Sequence, residues 1–431
     1  MYVLLDVGWM SHPFRLNNFK ITSEDQLSSI RSLGLDTVRW DPARSDIDAD
    51  SQSSDQERGD DGKNESDSDA SSSRPLVSES GAESGAASRQ SEENDAITGD
   101  ELKRIELIER RQKQLARVEQ AFVDAVKVVK GINKTIYSRP ESTISETRQF
   151  IQGMVSDLLE APELTIQVMA EKPGSEELYL HTLNVAVLAM ILARELKLPA
   201  EVVKVLGLAA VFHDIGLNEV PSTILNKTDP LTVAERQFRE AHCRYGFDLG
   251  VKLGLPAAVC NAILQHHEHF DGSGYPRRLK GDQIDLIARL LAVVNCYDNL
   301  CNPSRLADAL TPHEALSLMY AQHRGRFDPR FLQAFVRTLG VYPPGTVVAL
   351  SNDAIGLVIG VNAARPLRPM LIVHNPQVPR RQAPILNLEE HPDINISRAM
   401  RPGLLPASVY DYLSPRKRIS YFFDGQNGAK Q

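Results

Sequence analysis

Cysteine is scarce in this 431-residue chain: Cys243, Cys260, Cys296 and Cys301 are the four, and no two form a C-x-x-C pair. That argues against a disulfide framework and suits a reducing compartment; three of the four stand in apolar, helix-like stretches where a buried free thiol is expected. Long apolar runs are also missing. The longest, Val185–Ala193 and Val205–Phe212, fall far short of the ~18–20 residues of a spanning helix. The start, Met-Tyr-Val-Leu-Leu-Asp-Val-Gly-Trp, has no positive n-region and meets Asp6 too early for a signal peptide. The expectation is a soluble cytoplasmic protein without direct membrane insertion. An excess of basic charge is lacking too: 48 Lys+Arg stand against 56 Asp+Glu, a net charge of −8. Residues 51–100 hold 13 acidic and 4 basic side chains, which leaves 43 acidic and 44 basic in the other 381. The acidity is therefore local and the body nearly neutral, so no nucleic-acid-binding face is expected.

What is present is a 42% apolar fraction, enough to build a core, on a length that suits two or three domains. Residues 1–45 alternate short strand-like bursts with one helical pattern at Ser23–Gly34 and read as a small α+β module. Residues 46–98 are rich in Ser, Asp, Glu and Gly and hold no aromatic side chain, the composition of a disordered acidic linker. A long helix is expected from Thr98, with Leu102, Ile105, Ile108, Leu115, Val118, Phe122, Ala125 and Val129 at helical spacing; it either packs on its own domain or forms a homodimer seam. Helical pattern continues to about 340, and 341–431 reads as a β-rich extension. The fold class is mainly α. In the extension, Arg398, Arg401, Arg416, Lys417 and Arg418 near Tyr410, Tyr412 and Tyr421 are expected on a mixed, solvated surface.

The helical region concentrates Glu177, His181, His213-Asp214, His242, His266-His267-Glu268 and Asp298. His213-Asp214 closes an apolar run and His266-His267 closes another, so ionisable groups sit at the ends of buried helices, where they are costly unless paired or bound to metal. Imidazole plus carboxylate without thiolate suits Fe, Mn, Zn or Ni rather than Mg or Ca alone, and a carboxylate such as Asp214 can bridge two ions. Two such ions clamp phosphate oxygens and acidify a bridging water, the requirement for attack on a phosphodiester. Glu177 and His181 are four apart on one helix face, which permits a third ion.

This order, together with the string Phe270-Asp-Gly-Ser-Gly-Tyr-Pro276 and the pair Tyr297-Asp298, resembles the HD-GYP domain, a subgroup of the HD metal-dependent phosphohydrolases, over about residues 150–340. Residues 2–45 are similar to the small module often found ahead of such domains, at Gly8-Trp9 and His12-Pro13-Phe14. The resemblance implies an HD-type helical bundle that hydrolyses cyclic di-GMP to pGpG, with GMP as the alternative end product. It implies two or three divalent ions, foremost Fe or Mn with Zn, Ni or Mg as alternatives, and diguanylate cyclases as protein partners. It assigns the metals to His181, His213, Asp214, His242, His266, His267 and Asp298, with Glu177 for a third ion. Asp214 and His213 are the catalytic candidates; Asp271, Gly272, Gly274, Tyr275, Pro276, Lys227 and Arg305 are the substrate-binding ones.

Some positions depart from that pattern. Leu217 stands where the family has Lys, His269 where it has Arg, Asn295 where Asp is common, and Asn302-Pro-Ser-Arg305 replaces Arg-Pro-Tyr with a shifted register. Loss of the lysine removes a fixed charge near the phosphate, and His269 is a weaker, pH-dependent partner. The alternative function is accordingly a catalytically weakened cyclic di-GMP-binding or adaptor protein; a phosphohydrolase of other nucleotides is the third.

Overall fold

The computed structural model describes residues 2–4, 18–21, 23–31, 38–40, 99–160, 165–169, 177–361, 365–380, 383–416 and 418–424. The expected linker over 46–98 and the motif positions Gly8-Trp9 and His12-Pro13-Phe14 lie outside them. Near the N-terminus, β1 (Tyr2–Leu4) pairs antiparallel with both β2 (Asn18–Lys20) and β3 (Arg39–Trp40), beside helix α1 (Glu24–Arg31). Strands and one helix in this segment agree with the α+β expectation.

The body is helical: α2 (Gly99–Thr135), α3 (Pro140–Glu160), then strand β4 (Thr165–Val168), α4 (Glu177–Glu195) and α5 (Ala200–Phe212). Short helices α6 (Ser222–Leu225) and α7 (Val233–Glu240) lead to α8 (His242–Lys252), α9 (Ala257–Gln265), α10 (Leu286–Cys301), α11 (Pro312–Ala321) and α12 (Pro329–Leu339). Helix α4 is apolar nearly all round because α2, α3, α5, α10 and α12 surround it; Val185 through Ala193 are all at most 2% exposed. The starts are written locally. Asp285 and Asp328 accept from Ile287 N–H and Arg330 N–H, and Thr311 forms a capping box with Glu314 ahead of Pro312. From Val118 onward α2 lays Phe122, Ala125, Val129 and Ile132 into the same core, and Ile136 follows just after its end. That part of the long helix thus packs on its own domain, the first of the two expectations.

The C-terminal region carries a five-stranded antiparallel sheet of order β8-β7-β6-β5-β9, from β5 (Val347–Leu350), β6 (Ile355–Gly360), β7 (Met370–Val373), β8 (Ile385–Asn387) and β9 (Ile396–Met400). Helix α13 (Ala407–Leu413) covers one face through Val409 and Leu413 against Val347. The last strand, β10 (Tyr421–Asp424), leaves that sheet and pairs with β4, Tyr421 opposite Val168 and Asp424 opposite Thr165. Phe422 meets Phe122 of α2 edge-on at 5.9 Å. This corrects the solvated surface expected around Tyr421 and Arg418. Tyr421 is 0% and Arg418 7% exposed, because the chain end runs through the helical core. Burial of each aromatic side chain contributes about 1.5–3 kcal/mol, so Tyr421, Phe422 and Phe423 anchor the end firmly. Arg401 and Arg398 are exposed as expected, Arg401 with its guanidinium 2.7 Å from Glu314; Lys417 lies outside the described residues.

Candidate metal centre

Three of the histidines stand at helix ends. His213 is the C-cap of α5, His266 the C-cap of α9, and His242 the first residue of α8. Each turns its Nδ1 onto a carbonyl three residues back: His213 on Ala210 at 2.8 Å, His242 on Arg239 at 2.6 Å, His266 on Ile263 at 2.7 Å. A carbonyl can only accept, so Nδ1 carries the hydrogen and Nε2 is left facing inward.

Those Nε2 atoms converge on one carboxylate. Asp214 Oδ1 is 3.3 Å from His242 Nε2 and 3.4 Å from His266 Nε2. Its Oδ2 is 3.4 Å from His213 Nε2 and 3.7 Å from His181 Nε2. The histidines also approach in pairs, His181 with His213 and His242 with His266, each at 3.3 Å between Nε2 atoms. Two groups with metal-ligand spacing result, Asp214 with His181 and His213, and Asp214 with His242, His266 and His267. Buried neutral and basic nitrogens this close repel or waste one another unless a cation lies between, so the donor set fits two divalent ions sharing Asp214.

His181 is set from behind. Its Nδ1–H donates to Asp298 Oδ2 at 2.7 Å, while Asp298 Oδ1 accepts from Asn184 at 2.8 Å and Asn302 at 2.9 Å. Asp298, expected among the direct ligands, has a fully buried carboxylate in contact with His181 Nδ1; a carboxylate so placed orients a metal-binding imidazole and raises its basicity. Glu177 opens α4, and its side chain lies outside the described residues.

Protonation follows from the geometry. Burial pushes the Asp214 carboxyl up, but the charge and N–H groups of His213, His242 and His266 outweigh it and hold it well below the usual carboxylate range. Burial acts to strip His242 of its proton, but Asp214 and Cys243 raise it to about 10. Burial likewise disfavours charge on His181, and Asp298 and Asp214 overcome it to raise that group. His266, governed by burial, falls to about 4, and burial beside the other imidazoles takes His267 well below the ordinary histidine value. At pH 7 the metal-free centre therefore carries a proton on His242 that an ion must expel. Apparent affinity should rise between pH 6 and 8 with net proton release, measurable by calorimetry in buffers of different ionisation enthalpy; pH-independent uptake would contradict it.

Around this centre the loop Asp271–Pro276 folds back on His267. Tyr275 stacks on the His267 ring at 4.6 Å and 21°, and its N–H donates to His267 O at 3.1 Å. Gly274 has a reason other than approach to a ligand: a Cβ there would strike His267 O and His269 N, so the chain's own crossing demands glycine. Asp271 Oδ1 accepts from Ser273 N–H at 2.9 Å, and Gly272 N–H donates to His269 O at 2.8 Å, closing the turn ahead of Pro276. Lys227 is tied to Glu235 at 2.7 Å and Arg305 to Asp308 at 3.3 Å; the geometry does not bring either to Asp214. Leu217 is half-buried on the 3₁₀ turn Ile215–Glu219 directly after Asp214.

Sequence reasoning names Glu268 and Asn302 without giving them a role, and misses Asn184 and Arg326. Glu268, 1% exposed, accepts from Arg277 N–H at 2.6 Å and Leu279 N–H at 2.8 Å and so shapes the loop that carries Tyr275. Asn184 and Asn302 hold Asp298; the available signal was a polar residue one turn from a candidate ligand, on faces otherwise apolar. Arg326 places its charge beside His269 and Asp271, where the family arginine is absent. A cleft opens onto Asp214 between α2, α4 and α5, lined by Val129, Asn133, Thr182, Val211, Ile215 and Asn218.

Residues 136–331 match the HD domain family, and residues 1–158 match a domain of unknown function, DUF3391. The cyclic di-GMP phosphodiesterase PA4108 of Pseudomonas aeruginosa is 34% identical over 224 residues, 52% of this chain and 54% of that protein. The cyclic di-GMP phosphodiesterase response regulator RpfG of Xanthomonas campestris is 36% identical over 151 residues, 35% of this chain and 40% of that protein. The 3'3'-cGAMP-specific phosphodiesterase 1 of Vibrio cholerae is 31% identical over 190 residues, 44% of this chain and 43% of that protein. The chain thus spans about half the length of these relatives. No helix among the described residues is long and apolar enough to cross a membrane.

Proposed function

We propose, from the premise that residues 136–331 belong to the HD domain family, that the chain is a metal-dependent phosphodiesterase that opens cyclic di-GMP to the linear dinucleotide pGpG. The observation that carries this reading is Asp214, each of whose oxygens faces its own pair of imidazole Nε2 atoms. His181, His213 and Asp214 Oδ2 would hold one ion; Asp214 Oδ1, His242, His266 and His267 would hold the other. When bound, such a pair supplies Lewis acidity at a phosphate and a water that ionises near neutral pH. A bridging carboxylate kept ionised by its neighbours suits that role, since it needs no deprotonation before binding.

The chain itself supplies position and polarity. Stacking on His267 fixes the Tyr275 ring at the edge of the centre, and burial keeps its hydroxyl protonated and so able to donate to a phosphate or base. Asn133, Thr182 and Asn218 add polar groups to the small cleft beside Asp214. The resemblance to both cyclic di-GMP and cGAMP enzymes puts the cyclic dinucleotide class first, and the sequence pattern favours cyclic di-GMP within it. Tyr275→Phe should raise KM roughly five- to tenfold, the weight of one hydrogen bond of about 1 kcal/mol, with kcat little changed. An equal fall in kcat with KM unmoved would remove Tyr275 from substrate binding.

The test is turnover by full-length protein loaded with Mn or ferrous iron, with cyclic di-GMP and 3'3'-cGAMP assayed side by side by chromatography. Conversion of cyclic di-GMP to pGpG is expected. Faster turnover of 3'3'-cGAMP would overturn the substrate, and intact substrates under conditions where a control enzyme works would overturn the activity.

A further inference from the structure

Asp298 is held by three pieces of chain far apart in sequence. Asn184 lies one turn after His181 on α4, Asn302 caps α10, and Ile419, 117 residues beyond Asn302, leads into β10. Asn184 Nδ2 donates to Asp298 Oδ1 and to Ile419 O, both at 2.8 Å. Asn302 Nδ2 donates to the same two atoms, at 2.9 Å and 2.8 Å. In return Asn302 Oδ1 accepts from Ile419 N–H at 2.8 Å, and Asn184 Oδ1 accepts from Tyr421 N–H at 3.0 Å. Both hydrogens and the oxygen of each amide are engaged, so a flipped amide would set oxygen against the Asp298 carboxylate. The Tyr421 and Tyr297 hydroxyls, 2.8 Å apart, pin the strand to α10 at the residue just before Asp298.

We propose that Ile419–Tyr421, acting through Asn184 and Asn302, is a positioning element of the metal centre that governs the His181 half of it. With one oxygen of Asp298 fixed by two amides, the other is aimed at His181 Nδ1–H, and His181 Nε2 is thereby aimed at His213 and Asp214 Oδ2. The other half has no such dependence, since His242 and His266 rest on carbonyls of the helical body, Arg239 O and Ile263 O. The C-terminal strand thus couples to one of the two ions. This inference rests on the metal reading of the site but not on the substrate.

Metal-free full-length protein titrated with Mn²⁺ tests it. Wild type should show two classes of site; Asn302→Ala and Asn184→Ala should weaken one class about 10–100-fold, the usual weight of a group orienting a metal ligand, and leave the other unchanged. Asn302→Asp, which sets a second carboxylate against Asp298, should weaken it most. Because coupling is reciprocal, saturating Mn²⁺ should slow hydrogen exchange at the Ile419 and Tyr421 amides of the wild type and leave Val347–Leu350 of β5 unaffected. That measurement requires no variant to fold. Equal affinities in wild type and folded variants, or tail amides indifferent to saturating Mn²⁺, would overturn this inference alone. Wild type that takes up no Mn²⁺ would overturn it together with the metal reading.

Discussion

Asp214→Ala is expected to lose phosphodiesterase turnover by well over 100-fold and to lose metal from both halves of the centre at once. The reason is geometric: the two oxygens serve different histidine pairs, at 3.3 and 3.4 Å on one side and 3.4 and 3.7 Å on the other. Groups that merely orient a ligand typically cost 10–100-fold when removed, so a ligand common to both ions must cost more. Removing the carboxylate also takes away the charge that raises His242, so the variant's histidines should titrate lower than those of metal-free wild type. Elemental analysis with a turnover assay reads both effects. If Asp214→Ala kept its full metal content and rate, the bridge would be misassigned.

Gly216→Ala is expected to cost about 4 kcal/mol or more of stability, although glycine-to-alanine changes in helices usually stabilise. A Cβ at Gly216 would run into His242 O and would lie 2.5 Å from Gly246 N, and neither backbone atom can swing aside. Helix α8 would have to move away from the turn after Asp214, taking His242 from its place 3.3 Å from Asp214 Oδ1. Metal affinity should therefore fall with stability. Gly131→Ala on α2, where nothing lies within 4 Å of the added carbon, is the control and should stabilise by about 0.5–1 kcal/mol. Denaturant unfolding of the two variants decides the matter. Equal stability of Gly216→Ala and wild type would mean that the crossing of this turn and α8 is looser than described.

These two residues show why parts of the molecule were legible in the sequence and others were not. His213-Asp214 and His266-His267 could be read because charge at the end of an apolar run is conspicuous, and the structure places them where buried helices end. The body was legible for the same reason, since uniformly apolar α4 and α5 have no place except inside a bundle. The role of Asp298 was not legible. A carboxylate's partners cannot be read in one dimension, and the 2.7 Å contact of Asp298 with His181 Nδ1 and its two amide donors appear only in the fold. Gly274 is similar: its flexibility suggested approach to a ligand, whereas the closest atoms belong to His267 and His269. The return of the chain end was hidden altogether. Ser420, Tyr421, Phe422 and Phe423 read as part of a surface extension because pairing with β4 joins segments some 250 residues apart, which no local pattern encodes.

Metal stoichiometry at saturation tests the central claim most directly. Full-length protein stripped of metal, reloaded with Mn²⁺ and freed of excess should hold at least two ions per chain, and Asp214→Ala treated alike should fall below one. A wild type that saturates at one ion per chain would contradict the shared-carboxylate centre on which the proposed chemistry rests.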